Sequence, residues 1–145
     1  MKQEIKKKYK IGYTTGVFDM FHIGHLNILK RAKGQCDFLI VGVSTDEVVE
    51  KNKHKTPIIS FNERSAIVQS IKYVDKVIPQ NDYSIEGKLD AVKEHNVNVI
   101  FVGSDWEGTE KWNSLEKELQ KIGCDVVYLP HTDGVSSTSL REKIK

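Results

Sequence analysis

The sequence is short of cysteine, of long apolar runs and of net charge, and each shortage weakens a class of explanation. Its 145 residues hold two cysteines, Cys36 and Cys124, each beside an expected strand. No Cys-x-x-Cys pair or Cys/His ligand spacing accompanies them. Reduced, structural thiols and a cytoplasmic setting are therefore expected. No apolar stretch approaches the roughly 18–20 residues of a membrane span, so no membrane partner is expected. The basic start, MKQEIKKKYK, runs into a segment containing Gly12, Thr14 and Thr15 rather than the apolar core of a secretion signal. Residues 1–9 read as a solvated lead-in to a single domain spanning 1–145. A net charge of +2 argues against a dedicated nucleic-acid binder. Repeats and low-complexity tracts are missing. So is the Gly-x-Gly-x-x-Gly fingerprint of nicotinamide enzymes after the first strand.

What is present is alternation. Strand-like runs cover 10–15, 37–44, 76–79, 98–104 and 125–130. Helical patterns fill most of the gaps, at about 22–33, 61–73, 85–95 and 110–122, and SSTSLREKIK closes the chain as a short helix. DFLIVGVS and NVIFVGS are continuously apolar, as strands buried on both faces are. Residues 45–59, polar and carrying Lys51, Lys53 and Lys55, read as a loop. Ser60 and Glu63 form an S-x-x-E capping box, and Ser84 caps the following helix. This order predicts an α/β, doubly wound (Rossmann-like), five-stranded parallel sheet with helices on both faces. Ligands of such sheets bind beyond the carboxyl ends of the strands, where the strand order switches.

The most informative segment is GVFDMFHIGH, residues 16–25, between the first strand and the first helix. His22 and His25 share a helix face. Gly24 lets a ligand approach the backbone, and helix N-terminal amides favour phosphate. Two imidazoles there can donate to oxygens that gain charge when an α-phosphate is attacked. Packed surface histidines and a metal pair are the competing readings, the latter without a third ligand. Asp19 either orients a group and helps hold Mg²⁺ or caps the turn. HTDGVSSTSL, residues 131–140, offers a turn at Gly134 and the hydroxyls of Ser136, Ser137 and Thr138 to a phosphate; simple helix capping is the alternative.

These motifs, together with STDE (44–47), ER (63–64), YVDKVIP (73–79), GSDWEG (103–108) and VVYLP (126–130), resemble the HxGH nucleotidyltransferase superfamily. More narrowly they resemble the cytidylyltransferase family and its bacterial glycerol-3-phosphate cytidylyltransferases. The resemblance implies a reaction of CTP with a phosphorylated alcohol, giving a CDP-alcohol such as CDP-glycerol for wall-polymer or capsule synthesis, and pyrophosphate. It implies in-line attack, with Mg²⁺ bound mainly through the nucleotide phosphates, and a homodimer. His22, His25 and Lys55 correspond to catalytic positions. Val17, Phe18, Asp19, Ile23, Gly24, Asp105, His131, Thr132, Asp133, Gly134, Val135 and residues 136–138 correspond to the nucleotide site. Lys53, Arg64, Lys72, Lys88 and Trp106 correspond to the acceptor site, Arg64 either bridging to a carboxylate such as Asp105 or holding phosphate. Trp112 is expected to pack.

One departure stands out. The family carries arginine where this chain has His131, and histidine lacks arginine's permanent charge and bidentate fork. Lys72 or Arg141 is available to cover the lost charge. Two further readings remain open. One is adenylyl transfer within the same superfamily, to FMN or a pantetheine phosphate. The other is a nucleotide-binding regulator without turnover.

Overall fold

A strand apolar at consecutive positions must be covered on both faces, and Cys36–Ser44 (β2) is buried at every residue from Leu39 onward. In the computed structural model, which describes residues 8–130, β2 lies inside a five-stranded parallel sheet. The other strands are Tyr9–Gly16 (β1), Lys76–Gln80 (β3), Val99–Gly103 (β4) and Asp125–Leu129 (β5). Their order is β3-β2-β1-β4-β5. Tyr13 pairs with Ile40 on one side and Ile100 on the other, so β1 sits where the strand order reverses.

The helices are Ile23–Lys33 (α1), Asp46–Lys53 (α2), Phe61–Gln69 (α3), Ile85–His95 (α4) and Glu110–Lys121 (α5), with a 3₁₀ turn at Ser104–Trp106. Leu29 and Ala32 of α1 and Val68 of α3 pack on Leu39, Val41, Val43, Val99 and Phe101. On the opposite face, Val92 of α4 and Trp112, Leu115 and Leu119 of α5 pack on Tyr13, Ile40 and Ile100. Alternate residues of each strand therefore feed two cores, as the doubly wound reading requires. Each fully buried Leu or Phe contributes roughly 1.5–3 kcal/mol. Trp112 packs as expected, and both cysteines are buried. Among the described residues no helix is long and apolar enough to cross a membrane.

Three local expectations need correction. The polar stretch after β2 is not wholly loop, because Asp46–Lys53 is α2. Thr45 caps it by accepting from the Val48 N–H at 3.2 Å, and Asp46 and Glu47 occupy its first turn, where the helix dipole favours acid. Second, α3 stops at Gln69 rather than near Tyr73. The Ser70 hydroxyl donates to the Ile67 carbonyl at 2.6 Å, and Asp75 accepts from the Leu39 N–H at 2.8 Å, drawing the chain into β3. Third, Ser60 makes no side-chain cap on α3, and its hydroxyl donates to Glu63 at 3.3 Å instead. The helix expected at the carboxyl terminus lies outside the described residues.

Candidate active site

Beyond the carboxyl ends of β1 and β4 opens a crevice of about 400 Å³. It occupies the switch in strand order where open α/β sheets take their ligands. Thr15, Gly16, Val17 and Phe18 form one wall, and Val102, Gly103, Asp105 and Trp106 form another. The turn that leaves β1 is strained. Phe18 and Met20 both adopt left-handed backbone (φ 55° and 50°), at roughly 1–2 kcal/mol for each such L-residue. Asp19 between them is 2% exposed, and its two oxygens accept from the Ile58 and Ile59 N–H groups at 2.9 Å each. The carboxylate thus fastens the histidine turn to the segment that follows the lysines.

The histidines form a stacked pair with ring centroids 3.8 Å apart. His22 is the N-cap of α1. Its Nδ1 accepts from the Gly24 N–H at 3.1 Å, and His25 Nδ1 accepts from the His22 N–H at 3.2 Å. A neutral imidazole that accepts at Nδ1 carries its proton at Nε2. Both rings therefore present an Nε2–H donor. Burial, then the neighbouring His22, holds His25 down to about 4, against a smaller upward pull from Asp19; burial also lowers His22. At neutral pH the pair is uncharged and fixed in the donating tautomer. His25 lines the crevice beside Phe18, whose ring it meets edge-on at 5.3 Å, whereas His22 joins the site through the stack. Ile23 is half exposed on the first turn of α1.

Lys53 and Lys55 both line the crevice. Between them His54 ends α2 in the left-handed conformation (φ 55°), turning the chain so that two lysines a residue apart serve one cavity. Arg64 lies elsewhere. It is 1% exposed, and its Nη1 donates to the Val17 carbonyl at 2.6 Å and the Ser44 carbonyl at 2.8 Å. Nε donates to the Ile59 carbonyl at 2.8 Å, and Nη2 pairs with Asp46 at 2.6 Å. The guanidinium is thus given over to protein acceptors, and the carboxylate it bridges to is Asp46 rather than Asp105. It ties the histidine turn, the end of β2, the start of α2 and the lysine segment into one unit. The run S-T-D-E, with its N-cap and acidic first turn, was the signal for Asp46.

A narrower lobe of about 240 Å³ continues from the crevice, sharing Thr15, Gly16, Val17, Lys53, Val102 and Trp106 with it. Lys88 lines this lobe and is 7% exposed. Ser44, Gln80, Tyr83, Lys111 and Trp112 complete its wall, and the sequence reading did not assign Tyr83 or Lys111. Trp106 stands 51% exposed where the two lobes meet, and Asp105 is exposed beside it. Lys72 is not among the lining residues of either lobe; its ammonium lies 5.2 Å from the Tyr73 ring centroid. Residues 131–138, from His131 to Thr138, lie outside the described residues. Among those described, no group of three or more His, Cys, Asp or Glu is placed to hold a metal ion.

Residues 13–143 match the family model described as cytidylyltransferase-like. The chain is 41% identical to glycerol-3-phosphate cytidylyltransferase of Bacillus subtilis, covering 90% of this chain and 94% of that protein. It is 34% identical to FAD synthase of Thermococcus sibiricus, with 96% and 94% covered. Among solved structures, the lipopolysaccharide core biosynthesis protein of Thermoplasma volcanium superposes with a TM-score of 0.68 at 30% identity, over 85% of this chain and 96% of that one.

Proposed function

The chain belongs to the cytidylyltransferase-like family and is a nucleotidyltransferase, and from that premise we propose that it joins the CMP unit of CTP to glycerol 3-phosphate. The products are CDP-glycerol and pyrophosphate. The observation that carries this reading is the meeting of a neutral, Nε2–H histidine pair with Lys53 and Lys55 at the strand switch.

The chemistry follows from that arrangement. An oxygen of the acceptor phosphate forms a bond to the α-phosphorus in line with the bond to the β-phosphate. That second bond breaks, and its electron pair leaves with pyrophosphate. The acceptor phosphate is already an anionic nucleophile, so no general base is needed. Neutral imidazoles suit the task, because each donates a hydrogen bond to oxygens gaining charge without having to lose a proton. The lysines reduce the repulsion between an anionic acceptor and an anionic triphosphate. The Asp19 oxygens are turned to backbone amides, so Mg²⁺ in this scheme is cargo of the triphosphate, held by phosphate oxygens. A homodimer in the cytoplasm is part of the same proposal.

Incubation with CTP or ATP and a panel of phosphorylated alcohols, scored by pyrophosphate release, tests the assignment. Turnover is expected with CTP and glycerol 3-phosphate. Absence of turnover with every pair would overturn it. The FAD synthase likeness favours a second reading, AMP transfer from ATP to a flavin phosphate. Turnover with ATP and FMN, and none with CTP, would select it.

A further inference from the structure

In the narrow lobe two ammonium groups converge on one oxygen. Lys88 Nζ donates to the Tyr83 carbonyl at 2.9 Å, and Lys111 Nζ donates to the same carbonyl at 3.1 Å. Lys88 comes from α4 and Lys111 from the first turn of α5, so the convergence is made by the fold. A single carbonyl carries only a partial charge and cannot balance two full positive charges. Among the described residues neither lysine takes part in an ion pair. The one carboxylate that favours the Lys88 charge, Asp82, spends a hydrogen bond on the Ser84 N–H at 2.8 Å.

The surroundings are mostly apolar and tied together by hydrogen bonds. The Tyr83 hydroxyl donates to Ser44 Oγ at 2.8 Å, and Ser44 donates to Gln80 at 3.2 Å, which holds the residue that bears the shared carbonyl. The Lys88 ammonium lies 6.0 Å from the Trp112 ring centroid, and Lys53 lies 5.9 Å from that of Tyr83. Lys53 also lines the main crevice, so the lobe opens onto the place where the triphosphate is expected. At about 240 Å³ the lobe is below the roughly 300–1,000 Å³ typical of sites for drug-sized ligands. It suits a small phosphorylated polyol better than a flavin.

We propose that Lys111 joins the two lysines that the resemblance already assigns to the acceptor, Lys88 and Lys53, in seating the phosphate of the acceptor alcohol, and that Lys111 sets acceptor affinity. The inference rests on the cytidylyl-transfer reading and adds to it a residue outside the sequence motifs. An incoming phosphate dianion supplies the charge that two convergent ammonium groups lack, and Lys111, exposed on α5, makes a charge-assisted hydrogen bond to it.

The test is Lys111→Gln, a surface substitution that should leave the melting temperature unchanged. The KM for glycerol 3-phosphate is expected to rise about 10- to 100-fold, the effect of losing one hydrogen bond to a charged group, with the KM for CTP unaltered. A second measurement does not need turnover. The chain has two tryptophans, Trp106 and Trp112, and both line this lobe. Titration with glycerol 3-phosphate should give a saturable change in tryptophan emission, shifted to higher concentration by Lys111→Gln. If the acceptor KM and the titration are unchanged, or if only the KM for CTP moves, the seat is overturned while the cytidylyl-transfer reading stands. If the wild-type protein turns over no phosphorylated alcohol, that reading falls, and the titration decides the seat alone. A Lys111-sensitive signal then retains it, and no signal overturns it.

Discussion

At the scale of the residue, the behaviour of His25 follows from where its ring is kept. It packs between Phe18 and Phe21 at 5.3 Å from each and stacks on His22, so protonation would bury a charge beside another imidazole. With its pKa held down to about 4, the ring should stay neutral from pH 5.5 to 8 in an NMR titration. The stability consequence has a definite sign. The unfolded chain binds this proton near pH 6.5 and the folded chain only near 4, so the contribution is complete above 6.5 and is lost as pH falls toward 4. Urea unfolding at pH 7.5 and pH 5 should show that loss, and His25→Gln should reduce it. The same substitution should lower kcat by about 10²–10³, the usual effect of removing one donor to a developing oxyanion. Arg64 calls for a different experiment. Arg64→Met takes the ion-pair partner from Asp46 and a buried donor from three carbonyls, so a loss of about 3–5 kcal/mol is expected in denaturant unfolding. Arg64→Lys should recover only part of it, because an ammonium cannot span four acceptors in a plane.

At the scale of the element, α2 is the piece whose geometry matters most. Its N-terminus is fixed by Thr45, and its C-terminus is thrown by His54 into left-handed backbone. That reversal delivers Lys53 and Lys55 to one crevice. A β-branched residue resists this conformation, so His54→Val should cost about 1–2 kcal/mol of stability. It should also weaken CTP binding in calorimetry, since the two lysines would no longer be aligned. Glycine adopts the conformation freely, so His54→Gly should keep affinity for CTP. If both variants bind CTP like the wild type, the lysine pair is not organised by this turn. The turn after β1 has the same logic. Two left-handed residues persist there because Asp19 and Arg64 hold its two ends against 58–59 and β2.

At the scale of the whole molecule, the site holds charge at the expense of stability. Burial, then the nearby Lys111, pulls Lys88 down to about 8, while Asp82 opposes the shift. The unfolded chain keeps this proton to about 10.5, so the contribution of the group to stability rises as pH climbs from 8 toward 10.5. Activity should move the opposite way. A neutral amine no longer attracts phosphate, so the KM for the acceptor should rise above about pH 8. Measuring unfolding and acceptor KM across pH 7–10 checks both signs. A flat acceptor KM would mean that the Lys88 ammonium does not meet the substrate.

The sequence by itself determined the architecture and the turn that meets the crevice. Continuous apolar runs demanded strands buried on both faces, and the H-x-x-H turn after the first of them placed the histidines at a ligand edge. These properties are local, written in periodicity and in neighbours along the chain. Only the tertiary structure decided the rest. Arg64 reads equally as a bridge to a carboxylate or as a phosphate ligand until its acceptors appear from 5 to 47 residues away. The helix inside 45–59 was masked by polarity on its exposed face, although Thr45 and its acidic neighbours marked its start. Lys111 and Tyr83 carry no motif and meet, 28 residues apart, only because α5 packs beside α4. Charge, burial and hydrogen-bond partnership are properties of what surrounds a group, and for these residues the surroundings come from distant parts of the chain.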